Sequence, residues 1–208
     1  MRLYYAETLM PRKVCALVRY LGMPVELVHI DLGKGEQRAA AHLARNPNGK
    51  VPVLEDGDRT LWESNAILCH LAQRAGSPLW PQDGAGQAEL VRWFSWDSEH
   101  FTRAGGTLYF EHLIKSQFGI GAPDEAEVTA AQTAWRRAAA VLEGHLDGRT
   151  WLLGDRLTVA DFAVGIALPY AEASRIPLAD FPRIAAWHAR LSALPGWCDP
   201  FPTLSEAA

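Results

Sequence analysis

Two short stretches carry the residue types best suited to hold a small polar ligand. The first is Asn46-Pro47-Asn48-Gly49-Lys50-Val51-Pro52-Val53-Leu54. A proline cannot donate a ladder hydrogen bond, so Pro52 belongs at a strand's first residue or on an edge. If the Val51-Pro52 bond is cis, the tight turn leaves the Val51 amide and carbonyl free to pair with a ligand backbone; if it is trans, Pro52 is an ordinary edge-strand proline. The second stretch is Leu61-Trp62-Glu63-Ser64-Asn65-Ala66-Ile67. Ser64 reads as the N-cap of a helix whose free N–H groups and positive dipole end suit a carboxylate. Glu63 beside it can accept from an ammonium. Together they match the two charges of an α-amino acid, and each alone matches a plain helix cap.

The elements that position these stretches change character near residue 76. Arg2 to Tyr5 reads as a brief strand, and Pro11 to Leu21 as a helix with Val14, Leu17, Val18 and Leu21 on one face. Val25 to Ile30 is a second strand, and Glu36 to Arg45 a weakly signalled helix. Val51 to Glu55 and Arg59 to Leu61 flank Asp56-Gly57-Asp58 as a hairpin, and Ser64 opens a helix to about Ala75. The Pro- and Gly-rich stretch 77–86 reads as a linker. Beyond it nothing resembles a strand: Gln87 to Gln117, Asp124 to Asp147, Thr158 to Ala173 and Phe181 to Leu194 all read as helical, and the last few residues carry no element. The expected domains are therefore a small α/β domain over 1–76 and an all-helical domain over 87–208.

Composition narrows the partners. The chain has 208 residues, 49% apolar and 21% charged, with a net charge of −4, ordinary values for a globular protein. Acids and bases are interspersed, so no basic stripe points to nucleic acid. No segment reaches about 18 uninterrupted apolar residues, and the first residues lack the pattern of a signal peptide, so neither a membrane span nor secretion is expected. Cys15, Cys69 and Cys198 lie far apart without a Cys-x-x-Cys pair, which suits a reducing cytoplasm. The histidines show no ligand spacing, and no metal is expected.

In order and spacing, the strand-helix-strand start, the Asn-Pro-Asn-Gly-Lys-Val-Pro turn and the Trp-Glu-Ser-Asn-Ala-Ile helix start resemble the soluble glutathione transferases over nearly the whole chain. Leu157-Thr158-Val159-Ala160-Asp161-Phe162 adds a capping box, a structural mark of kinship without chemistry. The resemblance implies a thioredoxin-like domain followed by an all-α domain. It also implies glutathione as co-substrate, a small hydrophobic electrophile and a homodimer. By the family's pattern Pro52 is cis, Val51 pairs with the cysteinyl backbone, and Glu63, Ser64 and Asn65 hold the γ-glutamyl end. Lys50 reaches the glycyl carboxylate, or is simply a solvated lysine.

The family's chemistry needs the sulfur as thiolate, which is the nucleophile. Taking a thiol from a pKa of about 8.5 to about 6.5 requires roughly 2.7 kcal/mol. A hydrogen bond to a charged acceptor contributes about 1.5–3 kcal/mol and a helix N-terminus about 0.3–1, so one well-placed hydroxyl suffices. The family places Tyr, Ser or Cys after the first strand. Here the loop reads Tyr5-Ala6-Glu7-Thr8-Leu9-Met10-Pro11-Arg12, with neither Ser nor Cys. Thr8 is the expected donor and Tyr5 the competitor, with backbone N–H groups of Leu9 or Met10 as a third source; Glu7 should face away. The electrophile pocket is expected between the domains, with Met10, Trp96, His100, Arg103 and Tyr109 on its wall. The stripe of Trp93, Trp96 and His100 reads first as a core or a dimer seam and second as a substrate wall, and Asp97 is a candidate for reaching a partner's glutathione. The main alternatives are a glutathione-dependent isomerase, dehalogenase or peroxidase, and a non-catalytic binding module. A thiol reductase would want a loop cysteine.

Overall fold

The computed structural model describes residues 1–202, so the expectation for the final residues lies outside it. The described chain divides into two units, Met1–Trp80 joined by residues 194–202, and Pro81–Ala193.

The first unit is built on β1 (Arg2–Tyr5), β2 (Glu26–His29), β3 (Val53–Asp56) and β4 (Arg59–Trp62), in the sheet order β2-β1-β3-β4. β2 runs parallel to β1, while β3 and β4 are antiparallel neighbours. This mixed sheet with its helices is a thioredoxin-like arrangement. Tyr4 lies opposite Val53, and Val53 opposite Trp62. The end of β1, the start of β3 and the end of β4 therefore meet at one end of the sheet, and the segments expected to do chemistry all leave from there.

Helix α1 (Leu9–Leu21) starts two residues earlier than the proline suggested and ends at Gly22, whose φ of 59° closes the left-handed cap. α2 (Ala40–Arg45) follows a 3-10 turn at Glu36–Arg38, and α3 (Ser64–Arg74) packs against α1. α1 buries Val14, Leu17 and Val18 as its stripe predicts, but it also buries Arg12 and Lys13, both at 3% exposure or less. The stretch from Leu194, expected with the helical half, belongs to this unit instead. Arg12 donates to the Trp197 carbonyl and Arg19 to the carbonyls of Pro200 and Phe201, and Phe201 stacks on Tyr5.

The second unit is helical. α4 (Gly84–Trp96) begins inside the expected linker, because the Asp83 side chain caps Gly86 N–H. The run 84–117 then continues without a break through a π-turn at Asp97–Phe101, α5 (Thr102–Tyr109), a second π-turn at Phe110–Ile114 and α6 (Lys115–Gln117). α5 packs along α7 (Glu125–His145), α4 against α8 (Val159–Val164), and α9 (Pro182–Ser192) against α7. Trp93, Trp135, Phe162 and Trp187 fill the core. Asp161 accepts from the Thr158 N–H and hydroxyl, the Leu152 N–H and the Trp187 indole, which closes the capping box and ties α8 to α9. No described helix is long and apolar enough to cross a membrane.

Candidate functional site

The converging strand ends of the first unit gather most of the expected ligand-binding residues. The Val51-Pro52 bond is cis. Among the described residues the Val51 amide and carbonyl enter no turn or loop hydrogen bond, whereas the Lys50 carbonyl is taken twice. The buried His42 ring donates to it at 3.0 Å and the Asn46 amide at 2.8 Å. α2 is itself anchored to the sheet, since Arg45 bonds Glu55 at 2.8 Å and lies over the Tyr4 ring. Gly49 turns the loop at a φ of 61°, where a Cβ would stand 3.3 Å from the Gln37 carbonyl. The Val51 edge is thus held from behind and open in front, while the Lys50 side chain is exposed.

At the end of β4 the geometry differs from expectation. Ser64 is the first helical residue, and Glu63 is the cap, at φ 72° and ψ 110°. A non-glycine residue at positive φ is strained by about 1–3 kcal/mol, and such strain concentrates at functional sites. It exposes the Glu63 side chain beside the free N–H groups of α3. The Ser64 hydroxyl lies 3.7 Å from the Met10 sulfur, and Asn65 accepts from Lys13.

The loop after β1 is short and tightly held. Thr8 caps α1 with extended backbone, and its N–H bonds the Ala6 carbonyl at 2.7 Å. Its hydroxyl makes no capping bond, and the side chain is half-buried. Tyr5 points the other way: it is 2% exposed, stacked on Phe201 and edge-on to His29. Burial, with Glu7 adding, pushes its phenol up to about 12. Glu7 turns aside to pair with His29 at 2.9 Å. Burial lifts Cys15 to about 12 as well, so it stays a packed thiol. Two helix N-termini, α1 and α3, leave from this end of the sheet, and both favour negative charge nearby.

In the helical unit, Trp96, His100 and Arg103 line an open groove of about 730 Å³ between the 84–117 run and α7, facing Ala130, Ala134 and Arg137. Trp93 does not join them at the surface; it is 2% exposed and packs on Trp96 and His145. Tyr109 is buried elsewhere, edge-on to Tyr170. Asp97 turns inward at 1% exposure and accepts from the Thr102 hydroxyl. A π-turn adds a residue to the helical repeat, and no period in the sequence announces it. Nor did the sequence single out Lys13, whose burial and single-step link to Asn65 a helical stripe of apolar residues does not reveal. Among the described residues no cluster of three or more His, Cys, Asp or Glu side chains could hold a metal.

Comparison with known proteins agrees with this architecture. Residues 1–73 match the family described as glutathione S-transferase, N-terminal domain, and residues 100–195 its C-terminal domain. A probable glutathione S-transferase of Oryza sativa subsp. japonica is 34% identical over 184 residues, spanning 86% of this chain and 85% of the relative. A structure of a possible glutathione S-transferase from Rhodopseudomonas palustris superposes with a TM-score of 0.86 at 30% identity, covering 97% of this chain and 90% of the other. A glutathione transferase from Burkholderia graminis, solved with two glutathione molecules bound per subunit, gives a TM-score of 0.82 at 28% identity, covering 96% of this chain and 86% of the other. With both family domains present in order and that identity sustained along most of its length, the chain belongs to the glutathione S-transferase family.

Proposed function

We propose that this glutathione transferase binds glutathione at the converging strand ends of its first unit and that Thr8 holds the sulfur as thiolate. In this reading the Val51 amide and carbonyl pair with the cysteinyl backbone. Glu63 accepts from the γ-glutamyl ammonium, the N-terminus of α3 with Ser64 and Asn65 receives the α-carboxylate, and Lys50 meets the glycyl carboxylate. The Thr8 hydroxyl and the N-terminus of α1 face the sulfur. The thiol proton passes to solvent; the thiolate then forms a C–S bond to a small hydrophobic electrophile, which expels a leaving group or takes the electron pair onto its conjugated system. No metal enters this chemistry as proposed.

One observation carries the assignment of Thr8: its hydroxyl makes no capping bond, whereas the competing Tyr5 is sealed under Phe201. The Thr8→Ala variant is expected to lose about ten-fold in turnover, the size of one hydrogen bond to a charged acceptor, with little change in glutathione affinity. Thr8→Ser should restore most of it. Steady-state kinetics with a chromogenic electrophile, and the thiolate absorbance of bound glutathione against pH, measure both effects. Unchanged turnover in Thr8→Ala would remove Thr8 from the mechanism.

Trp96, His100 and Arg103, which share one groove, remain the proposed electrophile contacts, whereas Tyr109, buried against Tyr170, does not. The row of Ala130, Ala134 and Ala138 facing Trp96 across the groove favours a second use for that surface. Small residues let another helix approach closely, so this face is the proposed seam of a homodimer. A cytoplasmic setting is proposed with it.

A further inference from the structure

Lys13 has no part in the chemistry described so far, yet its position is costly enough to require an explanation. It is 2% exposed, and a buried ammonium is destabilising unless its donors are satisfied. It sits beside the first turn of α3, where the dipole favours anions over cations. Its Nζ donates to Asn65 Oδ1 at 2.6 Å.

An ammonium has donors only, so the amide oxygen of Asn65 must face it. That fixes which way round the amide lies: the oxygen is turned inward to α1, and the NH2 is the end left for whatever occupies the N-terminus of α3. An unrestrained asparagine could offer its oxygen there instead and repel a carboxylate. With the oxygen taken by Lys13, the free end of the Asn65 amide is a donor, carried in the first turn of α3 one residue from Ser64 and two from the exposed Glu63.

We propose that Lys13 is a positioning residue for the γ-glutamyl α-carboxylate, acting through Asn65 to keep an amide donor turned toward that group. This rests on the glutathione reading above and adds to it the residue that sets the polarity of the carboxylate subsite. Lys13 does not touch the ligand.

The test compares glutathione with an analogue lacking the γ-glutamyl α-carboxylate. In the unmodified protein, removing that carboxylate should weaken binding by well over ten-fold. Lys13→Met keeps most of the length of the side chain without its charge. It should raise the KM for glutathione about ten-fold, more than it lowers kcat, while binding of the analogue changes less than two-fold. Asn65→Asp guards against a folding defect in Lys13→Met, because it strengthens the pair with Lys13 while replacing the donor with a repelling oxygen. It should keep or raise the melting temperature and still lose at least ten-fold in glutathione affinity. A purely structural Lys13 would weaken glutathione and analogue equally, and that outcome, or unchanged glutathione binding in Asn65→Asp, would overturn the proposal. If the unmodified protein fails to bind glutathione at all, the underlying reading falls instead.

Discussion

Glu63 is held against its own backbone preference. Its φ of 72° lies where glycine is at ease and a glutamate is not. Glu63→Gly removes this strain, offset in part by the greater freedom of the unfolded chain. The variant is expected to be more stable by about 1 kcal/mol, raising the melting temperature by roughly 2–4 °C. It should also lose at least about ten-fold in glutathione affinity, because the proposed ammonium acceptor is gone. Thermal melts and binding titrations measure the two changes; a lowered melting temperature would mean that the backbone there is not strained. The sequence offered the side chain as a candidate, since Glu and Ser before an apolar helical stripe suit an ammonium and a carboxylate. The cap geometry was not, because positive φ is read from Gly or Asn and neither is present. Lys13 escaped for a related reason: a lysine at a helix's apolar edge ordinarily extends to water, and only a partner distant in sequence shows that it does not.

At the scale of elements, α8 depends on one carboxylate. Asp161 is 0% exposed and holds four donors from three segments. Burial raises its pKa to about 6, against the opposing pull of those hydrogen bonds. The folded state therefore binds a proton more readily than the unfolded chain between about pH 4 and pH 6. Its contribution to stability is full below that window and falls as pH rises through it, by about 3 kcal/mol for a shift of about two units. Asp161→Asn abolishes the titration, so the stability of the parent relative to this variant should decline between pH 4 and pH 7. A constant difference in denaturant melts across that range would refute the argument. Here the sequence was informative, because Thr158 and Asp161 stand at capping-box spacing. The 84–117 run was legible as helix but not as helix with two π-turns, which no residue type announces.

At the scale of the molecule, the two-part plan followed from the shift between strand and helix periods near residue 76, and the family domains match it. The exception is the stretch from Leu194, which carries no apolar period of its own and is held by backbone carbonyls accepting from Arg12 and Arg19. Such bonds leave no trace in residue type at the accepting end. Gly196 shows how close the approach is: its φ is 74°, and a Cβ there would stand 2.4 Å from that of Arg19. Gly196→Ala should cost about 2 kcal/mol and lower the melting temperature by roughly 4–8 °C, as differential scanning calorimetry would detect; an unchanged melting temperature would mean that the return stretch contributes little. The same return has a consequence for synthesis on the ribosome. Residues 1–80 emerge first, but the carbonyls that receive Arg12 and Arg19, and the ring that covers Tyr5, are translated only after the entire helical unit. At typical elongation rates of about 5–20 residues per second, the nascent sheet waits on the order of ten seconds for its last contacts. During that interval its helix α1 carries two cations that lack these acceptors.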